Sequence, residues 1–236
     1  MTYQIDVVIP AFNEELAIAN VIGDIPNPLV REVVVCNNAS TDNTAALAAA
    51  AGATVVDEPR PGYGRACLAG IAYLRSKEVQ PDIVVFLDGD YSDYPEEMAN
   101  LVNPIIQDNL DMVIGSRATG QSEQGAMMPQ QVFGNWLATK LISLFYGYQF
   151  TDLGPFRAIT WEALNRINMV DTNYGWTVEM QVKAAKHKLT YTEVPVTYRV
   201  RIGTSKVSGT IKGTIMAGYK ILWTIAKYAF TNSKTT

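Results

Sequence analysis

Asp88 and Asp90 close the segment Asp82-Ile-Val-Val-Phe-Leu-Asp-Gly-Asp90, with a single glycine between them. On an extended chain, residues two apart point the same way, about 7 Å apart. The pair can therefore converge on one hard cation. Oxygen ligands at the end of a parallel strand suit Mg²⁺ or Mn²⁺, which fill their other positions with water and substrate phosphates. Without a cation the two carboxylates would repel. The competing reading is a solvated acidic turn. Position favours the metal: residues 83–87 are apolar and largely β-branched, the pattern of a strand buried on both faces. Open α/β sheets bind ligands at the carboxyl ends of such strands.

Two further strand tips carry polar groups just before a helix. One reads Val8-Ile-Pro10-Ala-Phe12-Asn13-Glu14-Glu15, the other Val35-Cys-Asn37-Asn38-Ala-Ser-Thr-Asp42-Asn-Thr44. Helix N-termini add donors and a positive dipole end. Simple helix capping by Asn13 and Asp42 is the alternative for each residue alone; together with the Asp pair, the two tips favour a nucleotide pocket. Residues 59–66, Pro-Arg-Pro-Gly-Tyr-Gly-Arg-Ala, add a glycine loop before a third helix. Gly62 and Gly64 permit close approach, and Arg65 can meet a phosphate. The loop fits neither a dinucleotide fingerprint nor a P-loop, because its spacing is wrong and it lacks the lysine.

The elements that must position these groups alternate. Strands are expected at 5–10, 32–36, 53–57, 83–87 and 111–115, and helices at 14–25, 43–51, 65–76 and 95–107, the last with a proline in its first turn. This alternation implies parallel strands joined by crossovers. After Ser116 the pattern changes. Residues 118–131 read as a loop, 132–149 as an aromatic, apolar helix, 171–188 as mostly helix, 189–200 as a strand or hairpin arm and 209–230 as a last helix. No linker separates two folding units.

The chain has 236 residues, 48% of them hydrophobic and 18% charged, enough for one sizeable core. A net charge of −4 argues against a nucleic-acid partner. Cys36 and Cys67 fit no metal spacing and read as reduced, buried thiols of a cytoplasmic protein. The single His187 reads as a surface residue; one histidine disfavours a His-based zinc site or a Ser-His-Asp triad. The N-terminus runs straight into a strand, so no signal peptide is expected. No apolar run reaches the roughly 18–20 residues needed to cross a bilayer.

Taken in order, the first tip, Asn-Asn-Ala-Ser-Thr-Asp-x-Thr, Gly-x-Gly-x-Ala, Asp-Gly-Asp and Gly115-Ser-Arg117 resemble the family 2 glycosyltransferases with a GT-A fold. Asp152-Leu-Gly-Pro-Phe-Arg157 and Arg201-Ile-Gly-Thr-Ser-Lys206 are similar to the polyprenyl- and dolichyl-phosphate sugar transferase branch. The resemblance spans residues 5–206. It implies an α/β fold with a single Rossmann-like, mixed but mainly parallel sheet flanked by helices. Residues 1–206 would form the transferase domain, and 207–236 an amphipathic helix and tail of the same unit.

The resemblance further implies inverting transfer of a hexose from a nucleotide-sugar donor, UDP-hexose or GDP-mannose, to polyprenyl phosphate. By position, Pro10, Phe12, Glu14, Asn37, Asp42, Gly64 and Arg65 would line the nucleotide pocket, with Asp88 and Asp90 holding Mg²⁺ or Mn²⁺. Arg117, Arg157, Arg201, Ser205 and Lys206 would surround the acceptor phosphate and the leaving diphosphate. Asn37-Asn38-Ala39-Ser40 stands where the family has Asp-Asp-Gly-Ser, which leaves uracil or guanine open. A lipid phosphate needs little base help. A saccharide hydroxyl, the rival acceptor, would need one, with Asp152 or Glu179 as candidates. For Glu179 the competing reading is an ion pair with Lys183 at i+4. A non-catalytic nucleotide-sugar-binding protein is the rival of another class.

Arg199, Arg201 and Lys206 form a basic loop, either solvated or, with Gly203 as hinge, closing over phosphates. In the last helix Lys212, Lys220 and Lys227 recur at spacings of 8 and 7 and share one sector, beside Trp223 and Tyr228. That composition suits a bilayer interface, and the lipid acceptor that the resemblance implies would put the protein at the cytoplasmic face of a membrane. Docking on the protein's own sheet, or a homodimer contact, are the alternatives.

Overall fold

The computed structural model describes residues 3–203 and 211–230, without the side chains of 211–214. Seven strands form one sheet in the order β3-β2-β1-β4-β6-β5-β7. The left half is the expected parallel set. β1 (Ile5–Ala11) lies between β2 (Glu32–Asn38) and β4 (Ile83–Phe86), and β3 (Thr54–Glu58) pairs outside β2. β1 and β4 are buried along their whole length, as their continuous apolar runs require.

The right half holds an element that strand patterning did not reveal. β6 (Arg157–Thr160) runs antiparallel between β4 and β5 (Met112–Ser116), and β7 (Tyr191–Pro195) pairs parallel to β5 at the edge. A four-residue strand that begins with arginine is too short to show a period of two. The sheet is therefore mixed and mainly parallel.

Helices cover both faces. Alternation along the strands sends Val8, Val84 and Phe86 to one face and Val7, Ile9, Ile83 and Val85 to the other. The first face packs under α3 (Tyr63–Arg75), α5 (Pro129–Tyr146), α6 (Trp161–Ile167) and α7 (Trp176–Lys186). The second packs under α1 (Ile18–Gly23), α2 (Thr44–Ala50) and α4 (Met98–Asp108), the last preceded by a single 3-10 turn at Pro95–Glu97. Phe86 meets Trp176 of α7 edge-on, with ring centroids 6.0 Å apart. Full burial of such a ring contributes about 1.5–3 kcal/mol. α8 (Ile211–Phe230) lies against α5 and α7, and the Tyr146 hydroxyl donates to the carbonyl of Ile225 at 2.6 Å.

Several boundaries move for local reasons. α1 starts at Ile18 rather than at 14, because Asn13 adopts φ 55° and residues 15–17 form a turn. α7 starts at Trp176 rather than at 171, because the Asp171 carboxylate accepts the amides of Asn173 and Gly175 and holds a loop there. Both cysteines are buried and unpaired, and His187 is exposed at the end of α7. Among the described residues no helix is long and apolar enough to cross a membrane.

Candidate active site

The carboxyl ends of β1, β2 and β4 open onto a cavity of about 320 Å³. Pro10, Phe12 and Glu14 line it from the β1 side, and Asp88 and Asp90 from the tip of β4. Because β1 and β4 are hydrogen-bonded neighbours, a ligand resting on one tip reaches the other. Phe12 is 40% exposed, so its ring is free to stack on a flat ligand at the mouth.

Asp88 accepts a hydrogen bond from the Tyr63 hydroxyl at 2.9 Å. Asp90 accepts from the Ser92 amide at 2.9 Å and the Ser92 hydroxyl at 2.5 Å. The other Asp90 oxygen lies 3.1 Å from Nη1 of Arg201, and Nη2 of Arg201 lies 2.8 Å from Oε1 of Glu14. The guanidinium thus bridges the two strand tips inside the cavity. Asp93 sits behind them, and its Oδ1 is buried without a hydrogen-bond partner. Burial, then the charge of Asp90, pushes the Asp88 carboxyl up to about 7. Burial, then Asp88 and Asp90, holds Asp93 well above the ordinary carboxylate range. Three crowded carboxylates resist ionising together, so added positive charge would relieve them. All-oxygen donors with a charge deficit fit Mg²⁺ or Mn²⁺. Among the described residues no three His, Cys, Asp or Glu side chains form a metal-holding group, so a cation on Asp88 and Asp90 would take further ligands from water and phosphate.

Arg117 and Asp152 form one buried unit. The Arg117 amide and Nε reach Oδ2 of Asp152 at 2.7 and 2.8 Å, and Nη2 reaches Oδ1 at 2.7 Å. Both Asp152 oxygens are engaged by Arg117. Arg117 also lies over the Tyr198 ring, 5.0 Å from its centroid, and its charge lowers the Asp88 and Asp93 carboxyls.

Residues 6–167 match the protein-family model described as Glycosyl transferase family 2. The chain belongs to that family. A protein of Mycobacterium tuberculosis described as an uncharacterized glycosyltransferase is 36% identical over 217 residues, 90% of this chain and 94% of that one. A dolichyl-phosphate hexose transferase of Haloferax volcanii is 32% identical over 204 residues, 85% of each chain. Among solved structures, glucosyl-3-phosphoglycerate synthase from Mycobacterium tuberculosis, in complex with Mn²⁺, uridine diphosphate and phosphoglyceric acid, superposes with a TM-score of 0.74 at 23% identity, covering 98% of this chain and 80% of that one. At that identity the likeness shows the fold, which is GT-A.

Several residues expected in the transferase's site stand elsewhere. Arg157 is fully buried on β6; its guanidinium donates to the carbonyls of Leu153, Gly154 and Thr177, and burial lowers it to about 10. It supports the sheet from within, with these donors spent on backbone carbonyls. Glu179 is buried on α7 and pairs with Lys183 at 2.9 Å, the i+4 contact weighed against the base role. Asn37 turns away and donates to Asp57 at 2.8 Å. Asp42 accepts the amides of Thr44 at 3.0 Å and Glu15 at 3.3 Å, which is capping and loop-tying. Arg65 is half-buried, outside the cavity lining. Gly64 serves packing: a Cβ there would lie 2.1 Å from the carbonyl oxygen of Asp171. Arg199 is a strap, its guanidinium 3.3 and 4.1 Å from the ring centroids of Tyr91 and Tyr94. Gly203 adopts φ 83°, and Ser205 and Lys206 lie outside the described residues.

Four lining residues with polar side chains were not assigned to the site from the sequence: Asn38, Tyr63, Asn173 and Tyr174. Asn38 could have been found by alternation, since its neighbour Asn37 faces the other way. Its carboxamide oxygen accepts the Gly62 amide at 2.7 Å and its nitrogen donates to Arg60 O at 2.9 Å, fixing the glycine loop. Tyr63 stood between two glycines that drew attention to the backbone instead. Asn173 and Tyr174 arrive from a loop far along the chain and carry no local signal.

Proposed function

We propose that this family 2 glycosyltransferase moves a hexose, with inversion, from a nucleotide-diphosphate sugar to polyprenyl phosphate, and that it needs Mg²⁺ or Mn²⁺. The observation that carries the reading is the carboxylate pair Asp88 and Asp90 at the tip of β4, facing a cavity that Arg201 also enters. A cation there supplies Lewis acidity toward the negative charge that grows on the leaving diphosphate. Phe12 and Pro10 would hold the base, with Glu14 and Asn38 ordering the loops around it. Tyr63 orients Asp88. Arg201 has donors to offer the leaving phosphates once it releases Asp90. The acceptor is already anionic, which agrees with Asp152 and Glu179 being locked in ion pairs. A uridine donor is supported by the solved synthase with Mn²⁺ and uridine diphosphate, whose fold the chain shares.

The lipid acceptor is supported by the relative described as a dolichyl-phosphate hexose transferase and by charge segregation. Phe133, Trp136 and Leu144 on α5, and Tyr219, Trp223 and Phe230 on α8, are exposed. None of the 23 acidic residues falls on either helix, whereas Lys140, Lys212 and Lys227 do; Lys220, also on α8, is engaged by Asp171 at 2.9 Å. Exposed aromatics among lysines fit an anionic lipid surface, to which each basic residue adds about 1 kcal/mol. We take residues 1–206 as the transferase domain and 207–236 as a helix and tail of the same unit.

The test is a partition assay with labelled nucleotide-sugar, Mn²⁺ and polyprenyl phosphate in detergent. Label is expected in the organic extract, and label confined to a water-soluble product contradicts the lipid acceptor. In flotation with anionic liposomes the protein is expected to rise with the lipid; recovery in the soluble fraction contradicts the membrane contact.

A further inference from the structure

Glu179 is a fully buried carboxylate that the proposed chemistry leaves unused, and its partners reveal another task. It accepts the backbone amides of Val170 at 3.1 Å and Asp171 at 2.7 Å, the start of the loop that ends at α7. On its other side the Tyr228 hydroxyl of α8 donates to it at 2.6 Å. A second link runs parallel: Nζ of Lys220, also on α8, lies 2.9 Å from the carboxylate of Asp171. The helix presses close between these links, since a Cβ at Gly175 would stand 2.7 Å from Thr224 Oγ1.

The far side of the same loop is just as tight. Cβ atoms at Gly62 and Gly64 would lie 2.3 Å from the Thr172 carbonyl oxygen and 2.1 Å from that of Asp171, and the Arg65 amide donates to Thr172 O at 3.2 Å. Residues 170–174 are therefore clasped between α8 and the first turn of α3. That turn begins with Tyr63, which holds Asp88, and the loop itself supplies Asn173 and Tyr174 to the cavity.

We propose that Glu179, Tyr228 and Lys220 are positioning residues for the nucleotide site, and that α8 is a working part of that site through the 170–174 wall. The inference rests on reading the cavity as the donor site. α8 is therefore more than a docking appendage: the helix that carries the exposed aromatic face also sets one wall of the donor pocket. Losing one buried hydrogen bond at this clamp leaves the reacting groups in place but loosens the wall, so it weakens nucleotide binding and spares the chemical step.

The variants are Tyr228→Phe, which removes one hydroxyl, and Lys220→Met, with Lys220→Arg as the conservative control. Two readouts apply. Hydrogen exchange in the ligand-free protein is expected to quicken at the amides of Val170 and Asp171 in Tyr228→Phe. Calorimetry with uridine diphosphate and Mn²⁺ is expected to show about three- to tenfold weaker binding in Tyr228→Phe and Lys220→Met, with Lys220→Arg near wild type and kcat at saturating donor unchanged. Unchanged exchange at these amides in a protein of native helicity overturns the proposal. So does unchanged affinity, or a fall in kcat with affinity intact. If the wild type binds neither uridine nor guanosine diphosphate with Mn²⁺, the donor-site reading fails, and the exchange measurement alone decides the clamp.

Discussion

Asp90→Asn is expected to lower kcat/KM by at least about a thousandfold at saturating metal while leaving the fold intact. The substitution keeps the side chain's shape and one carbonyl oxygen, so the bonds from Ser92 can persist. What it removes is the charge that would hold a cation. Stability should change by no more than about 1 kcal/mol, because two effects oppose. Arg201 loses its contact at 3.1 Å but keeps Glu14 at 2.8 Å. Asp88 and Asp93, both held above their ordinary range in part by Asp90, lose a like charge. Steady-state kinetics beside thermal unfolding checks both halves. Wild-type turnover in the variant would remove Asp90 from the chemistry, and an unfolded variant would make it a structural residue.

The second large effect is on stability. Asp152→Ala strands the Arg117 guanidinium, whose side chain is 13% exposed and donates two hydrogen bonds to that carboxylate, and also frees the Arg117 amide that donates a third. Breaking a buried pair by removing one partner typically costs about 3–5 kcal/mol. Urea denaturation should show a loss of that size. This result separates two roles for Asp152. A general base would cost activity and little stability, whereas a counter-ion buried under the site costs stability first. A fully stable but inactive Asp152→Ala protein would restore the base role and reopen the case for a hydroxyl acceptor.

How much of this was legible follows from where each signal lies. The parallel half of the sheet was readable because each strand is a continuous apolar run and each helix follows its strand directly, so pattern and topology agree. The Asp pair and the β1 tip were readable for the same reason: they end such strands. β6 was not, because four residues headed by a buried arginine show no alternation. Arg157 resembled an anion ligand in sequence, yet a guanidinium with five donors can be satisfied just as well by backbone carbonyls inside the core. The i+4 spacing of Glu179 and Lys183 was visible, but the Tyr228 contact joins residues 49 apart, which no local pattern encodes. The 170–174 wall is hidden in the same way. Its place is set by glycines at 62 and 64, which admit a neighbouring backbone; Gly62 also lines the cavity, as its reading as a ligand-approach glycine expected.

The central claim is a divalent cation seated on Asp88 and Asp90 beneath a nucleotide diphosphate. Crystals grown with Mn²⁺ and uridine diphosphate, measured at a wavelength where manganese scatters anomalously, test it most directly. The account predicts one anomalous peak at coordination distance, about 2.1 Å, from oxygens of both carboxylates, with Arg201 turned from Asp90 toward the phosphates. Nucleotide bound in the cavity with no peak between the two aspartates, and Arg201 still on Asp90, would contradict it.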